Sequence, residues 1–212
     1  RSSYMTLLCL VFAMAASVSA PDARAEEKIN TDKVLTNVGN YLSETDNGPD
    51  YSSLGRVVAL ARSGNSISDN YYKKFYNNTV KYLDDHEWSL SKTDYARLII
   101  AMTAIGKDAR DIEGHNLLSY LSDFNELKEE GISGPIWALI AVNTYPDYQI
   151  PLLDSNSGKR STTEEGLITY LVGEKLEDGG WSEFGDTPDP GITALTLQAL
   201  SPYYEQRDSY YC

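Results

Sequence analysis

Four carboxylates fall within residues 178–189: Asp178, Glu183, Asp186 and Asp189. Oxygen ligands at that density are what Ca2+ takes, and neighbouring aspartates are also what a proton donor for an alkene or epoxide is made from. The spacing matches no EF-hand loop. Asp186-Thr187-Pro188-Asp189-Pro190 sets its two aspartates beside prolines, the arrangement of a capped helix start. Asp84-Asp85-His86-Glu87 is the next densest acidic run and reads as a solvated turn where a helix ends. His86 and His115 have no ligand type three or four residues on, so neither opens a metal motif. A Gly-rich phosphate loop, a Gly-x-Ser-x-Gly elbow and a Ser/His/Asp set at usable spacing are all absent from the sequence.

Recognition groups are better represented than reactive ones. Tyr51, Trp88, Tyr95, Trp137, Trp181 and Phe184 fall in turns or at the starts of apolar segments, and the chain holds 16 tyrosines, so a rim of aromatic rings is available for flat, glycan-like or peptide ligands. Together with Asp186 and Asp189 these six form the candidate ligand-binding set. Each ring has packing between neighbouring elements as its alternative role.

The elements that would position these residues repeat along the chain. Four segments are apolar nearly all round: 52–64 (SSLGRVVALARSG), 93–106 (TDYARLIIAMTAIG), 135–146 (PIWALIAVNTYP) and 191–202 (GITALTLQALSP). Aligning VVAL, IIAM, LIAV and LTLQ gives steps of 42, 40 and 56 residues, the last lengthened by a polar insertion at 152–163. Between them lie one-faced helical patterns at 31–43, 70–86, 113–128 and 164–176, the second through Tyr72, Phe75, Tyr76, Val80 and Leu83. A helix apolar all round needs cover on most sides, whereas a one-faced helix can lie outside. The order predicts an all-α array of four helical hairpins, with the second helix of each pair inside.

Residues 177–200 show how one hairpin turns its corner. Gly179 and Gly180 are placed to stop the outer helix, expected to end near Glu177; Trp181 is the large apolar side chain that covers the turn; Asp189 or Thr187 caps the inner helix. GGWSEFG followed by TALTLQAL resembles the repeat of squalene and terpenoid cyclases and of the β subunits of protein prenyltransferases. The likeness is specific over 164–202 and rests on helix order and spacing over 31–146. It implies an α/α toroid in which a Gly-x-Trp turn joins outer to inner helices. The acidic DxDD and DDxxD motifs of the cyclases are missing, and with cysteine only at positions 9 and 212 the prenyltransferase zinc set of aspartate, cysteine and histidine cannot be assembled. The overall style is more similar to exported bacterial toroid proteins and to the α-domain of the cobalamin carriers transcobalamin and intrinsic factor. That likeness implies a corrinoid ligand and, in those carriers, a partner β-rich domain.

Residues 1–25 have an apolar run from Met5 to Ala20 and the triplet Ala23-Arg24-Ala25, the pattern of a cleaved signal peptide. A mature domain over 26–212 would carry 16 basic and 30 acidic side chains, a surface that repels nucleic acid and anionic membranes. Export without an internal disulfide points to a bacterial secreted or surface protein. Beginning at Arg1 and stopping at Tyr210-Tyr211-Cys212, the chain is expected to be cut, with a β-rich or anchoring domain beyond it. The leading expectation is a non-catalytic ligand-binding module. A cyclase- or prenyltransferase-related enzyme acting on an isoprenoid, and a structural spacer, are the alternatives.

Overall fold

A computed structural model describes residues 30–206; the expected signal peptide over 1–25, Cys9 and Cys212 lie outside them. Among the described residues eight α-helices follow one another: α1 Thr31–Thr45, α2 Leu54–Arg62, α3 Asp69–Asp85, α4 Lys92–Ala104, α5 Phe124–Glu129, α6 Ser133–Val142, α7 Glu164–Gly173 and α8 Pro190–Leu200. Short 3-10 turns stand at Tyr51–Ser53, Leu117–Leu121 and Ser201–Gln206. Among the described residues no strand forms, only two isolated bridges, Ile112 to His115 and Asp123 to Ser161. The protein is all-α, as its periodicities predict.

Packing divides the chain into two compact units, 1–38 and 39–212. In the first, the start of α1 turns Val34, Leu35 and Val38 half toward solvent. In the second, helices of the all-round apolar segments touch in chain order, α2 on α4, α4 on α6 and α6 on α8, with α7 also against α6. The composition of α6 accounts for its central place: Ile136, Ala138, Leu139, Ala141 and Val142 are buried in one ten-residue helix, which leaves it no polar face to give to water. Gly134 serves the same packing, because a Cβ there would come 2.1 Å from the Leu127 carbonyl oxygen. At α8 only Thr196 and Ala199 are buried, and Leu197 is 56 % exposed.

The one-faced helix α3 buries Tyr71, Phe75, Thr79 and Leu83, a stripe repeating every four residues. That stripe is rotated from the sequence reading by one position, since Tyr72, Tyr76 and Val80 are only partly covered. Thr79 is fully buried, whereas Asn77 and Asn78 beside it are exposed.

Two expectations change. The pattern at 113–128 is not one helix: it forms the 3-10 turn Leu117–Leu121 and then α5. Asp123 starts α5 afresh, its carboxylate accepting from the amides of Asn125 and Glu126. The polar insertion holds the break open, with the Phe124 amide donating to the Arg160 carbonyl and the Thr162 amide to the Ser122 carbonyl. Lys159 then pairs with Asp123 and Glu126, both at 2.9 Å; it pulls the Asp123 carboxyl below the ordinary carboxylate range, and Glu126 is lowered first by Lys92 and then by Lys159. At the second point, α7 stops at Gly173, not near Glu177, and the two glycines act later in a separate turn. Gly179 takes φ +100, and Gly180 lies so close to Pro188 that an added Cβ would sit 2.5 Å from it.

Candidate functional site

A helix start exposes amides with no intrahelical partner and carries partial positive charge. At α4 the gap is closed from two sources. Ser91 caps the Asp94 amide through its hydroxyl at 3.0 Å, while Glu130, from the turn before α6, accepts from the amides of Lys92 at 2.5 Å and Thr93 at 2.8 Å. At α6 the N-cap Ile132 has no capping side chain, and a carboxylate again arrives from the next turn. Glu183 accepts from the Ser133 hydroxyl at 2.5 Å and lies over Gly131, where a Cβ would meet it at 1.9 Å. The loop carrying Glu183 is itself fastened to the first turn of α8, since the Asp189 amide donates to the Trp181 carbonyl and the Trp181 amide to the Thr193 hydroxyl at 3.0 Å.

The start of α2 joins the same series. Asp50 caps the turn Tyr51–Ser53, and Tyr51 has its phenol pKa pushed up, first by burial and then by the nearby Asp94 carboxylate on α4. One turn into α4, Arg97 lies over the Trp137 ring of α6 at 5.8 Å from its centroid, close enough for a cation–π contact. Every link runs from the start of one helix to the start of the next. The four helices α2, α4, α6 and α8 therefore bring their N-termini to one edge, and the side chains gathered there are Tyr51, Asp94, Arg97, Trp137 and Glu183.

The predicted set divides on this frame. Trp88, Tyr95 and Trp181 are core residues. Trp88 stacks on His115 with centroids 3.7 Å apart and donates from Nε1 to Asp84 at 2.8 Å, while Tyr95 stacks on Tyr120 and donates its hydroxyl to the Trp88 carbonyl. Trp181 is 2 % exposed and donates from Nε1 to the Leu171 carbonyl at 2.6 Å, which makes it the plug of its corner. Tyr51 and Trp137 are half-buried, and Tyr51 stacks on Tyr82. Phe184 is 87 % exposed, in the loop beside Glu183. Asp189 caps α8, accepting from the Ile192 amide at 2.8 Å. Asp186 lines a hollow of about 510 Å³ with Leu176, Glu177 and Asp178.

Of the four carboxylates of 178–189, Glu183 and Asp189 serve helix starts, while Asp178 and Asp186 line the same hollow. Among the described residues no three His, Cys, Asp or Glu side chains stand close enough to hold a metal ion. The two histidines serve aromatic packing, His86 donating from Nδ1 to the Tyr82 carbonyl at 2.7 Å and His115 bonded through Nδ1 to the Tyr120 hydroxyl at 2.8 Å.

No protein-family model, curated protein or solved structure matches the chain. No described helix is long and apolar enough to cross a membrane. Asp94, Arg97, Glu130 and Glu183 belong to the site and were not in the sequence set. Glu130 and Glu183 act 38 and 50 residues away from their partners, so no local pattern announces them. Arg97 leaves a trace, as a lone cation in an apolar segment.

Proposed function

We propose that this chain is a non-catalytic ligand-binding module of an exported or surface-displayed protein, its hairpins forming part of an α/α toroid, and that it binds a flat ligand of corrinoid type along the aligned helix starts. The observation that supports this reading most is the start-to-start series of links from the Lys92 and Thr93 amides through Glu130 to Ser133 and Glu183. It holds helix N-termini side by side in a fixed row, which preorganises whatever that edge presents.

What it presents suits stacking and hydrogen bonding. The Trp137 and Tyr51 rings supply flat apolar faces, Arg97 adds a guanidinium for amide or phosphate oxygens, and Phe184 stands free to close over a bound ring. Amide side chains around a macrocycle would meet donors and acceptors already placed.

Equilibrium titration with cobalamin, followed through tryptophan fluorescence, tests the reading. Saturable quenching is expected, weakened at least about tenfold in Trp137→Ala and in Arg97→Ala, a loss of about 1.4 kcal/mol. Helix content by circular dichroism checks that the variants fold. Absence of saturation in the parent chain, or affinity unchanged in both folded variants, would contradict it.

A further inference from the structure

The opposite end of α4 carries a second surface. Two hollows meet there, one of about 450 Å³ beside Tyr72, Lys73, Tyr76 and Asn77 of α3, the other of about 190 Å³ beside Tyr145 and Tyr148, and Lys107 forms part of the wall of both. They open near Thr103–Lys107, about 20 Å along the helix axis from the start of α4, so they are separate from the row of N-termini.

Each ring in this strip is held in place. The Tyr76 hydroxyl donates to Glu113 at 2.8 Å, and Lys107 Nζ sits 4.5 Å from the Tyr76 centroid. The Tyr148 hydroxyl accepts from the Ala109 amide at 2.8 Å and lies 3.1 Å from the Thr103 hydroxyl, while Tyr145 is tilted against Tyr148 and 44 % exposed. Tyr72 rests edge-on against Tyr71.

The surface joins these rings to two cations. The chain is strongly acidic, with a formal net charge of -13, yet among the described residues neither Lys73 nor Lys107 makes an ion pair. Asp108, at the same hollow, is taken up by Arg110 at 2.7 Å, and Asp69 is the remaining carboxylate on the lining. Two ammonium groups without an ion pair, set among fixed tyrosines, suit anions joined to flat or ring-shaped apolar faces.

The geometry points to an acidic oligosaccharide, a chain of uronic-acid type, bound along Tyr72, Tyr76, Lys107 and Tyr145. Pyranose C–H bonds meet the Tyr72 and Tyr145 rings, uronate carboxylates meet Lys73 and Lys107, and Asn77 serves ring hydroxyls. Lys107 sits between the two hollows, where one carboxylate of a chain spanning both would reach it. The surface is open along its length, as a ligand longer than one sugar requires.

Calorimetric titration of the whole chain tests this with a short oligomer of galacturonic acid, a neutral oligomer of galactose and an oligoglutamate of matching length. Saturable binding of the galacturonate is expected, at least about tenfold tighter than the neutral oligomer at moderate salt. Tyr145→Ala and Lys107→Ala, both changes at accessible side chains, should each weaken it roughly three- to tenfold, with unfolding temperature measured to show that the variants stay folded. No saturable binding of galacturonate would overturn the proposal. Oligoglutamate binding as tightly and indifferent to Tyr145→Ala would overturn it as well, since charge alone would then account for binding.

Discussion

Trp181 is held by its ring and by one hydrogen bond, and the two contributions can be separated. Removing the ring in Trp181→Ala should cost roughly 3–5 kcal/mol in urea unfolding, the usual cost of deleting a buried large aromatic. Trp181→Phe keeps most of the ring but leaves the Leu171 carbonyl without its donor, and should cost about 1–3 kcal/mol. A loss under about 0.5 kcal/mol for the alanine variant would mean the ring is not a corner plug. Asp189→Asn is the contrasting case, since asparagine caps about as well as aspartate and stability should hardly move. Glu87 and Trp88 are both in the left-handed region, at φ 52 and 53, because the chain leaves α3 with the Trp88 amide donating back to the Leu83 carbonyl. Trp88 is compensated by its stack and its bond to Asp84, but Glu87 is exposed. Glu87→Gly should therefore raise stability by up to about 1 kcal/mol and Glu87→Val lower it; equal effects in thermal unfolding would refute strain at this position.

Helix boundaries were legible where burial and capping agree with local pattern. Ser68, Ser91, Thr163 and Asp189 stand at the starts of α3, α4, α7 and α8, and the apolar runs behind them have helical spacing. The pattern at 113–128 misled because apolar spacing persists across Ser122 and Asp123, while backbone pairing with Arg160 and Thr162, some 40 residues later, decides the local geometry. The candidate site was legible in part: Tyr51 and Trp137 were named from the sequence, whereas the buried places of Trp88 and Tyr95 follow from stacking with His115 and Tyr120, which spacing does not reveal. Glu130 is the sharpest test at this scale. Glu130→Ala should uncap α4 and cost about 1–2 kcal/mol, and Glu130→Gln, which keeps one acceptor, should cost less. Loss of amide-exchange protection confined to 92–93 would mark the cap directly, and unchanged protection there in Glu130→Ala would contradict the assignment.

The whole molecule is acidic, and several of its carboxylates are tied into the fold. Burial works to raise the Asp46 pKa, but hydrogen bonds from Tyr71 and Arg56, the charge of Arg56 at 2.6 Å and a bond from Ser53 bring it below the ordinary 3.8. Asp123 is lowered chiefly by Lys159, and Glu126 by Lys92 and Lys159. A depressed carboxyl stabilises the fold above its unfolded pKa, and that contribution disappears as pH falls through the folded value. Stability should hold through neutral pH and decline as pH drops toward and below the ordinary aspartate and glutamate values of 3.8 and 4.5. Asp46→Asn should make that decline shallower; an identical acid profile would show that Asp46 does not contribute. Thermal unfolding of the chain with and without cobalamin, then with a prenyl diphosphate and Mg2+, tests most directly whether the row of helix starts is a binding edge. Binding to the native state must raise the unfolding temperature as ligand is added, so cobalamin should shift it, and Trp137→Ala and Arg97→Ala should remove the shift. No shift with cobalamin, together with a rise from the diphosphate and Mg2+, would contradict the account and assign the fold to isoprenoid chemistry.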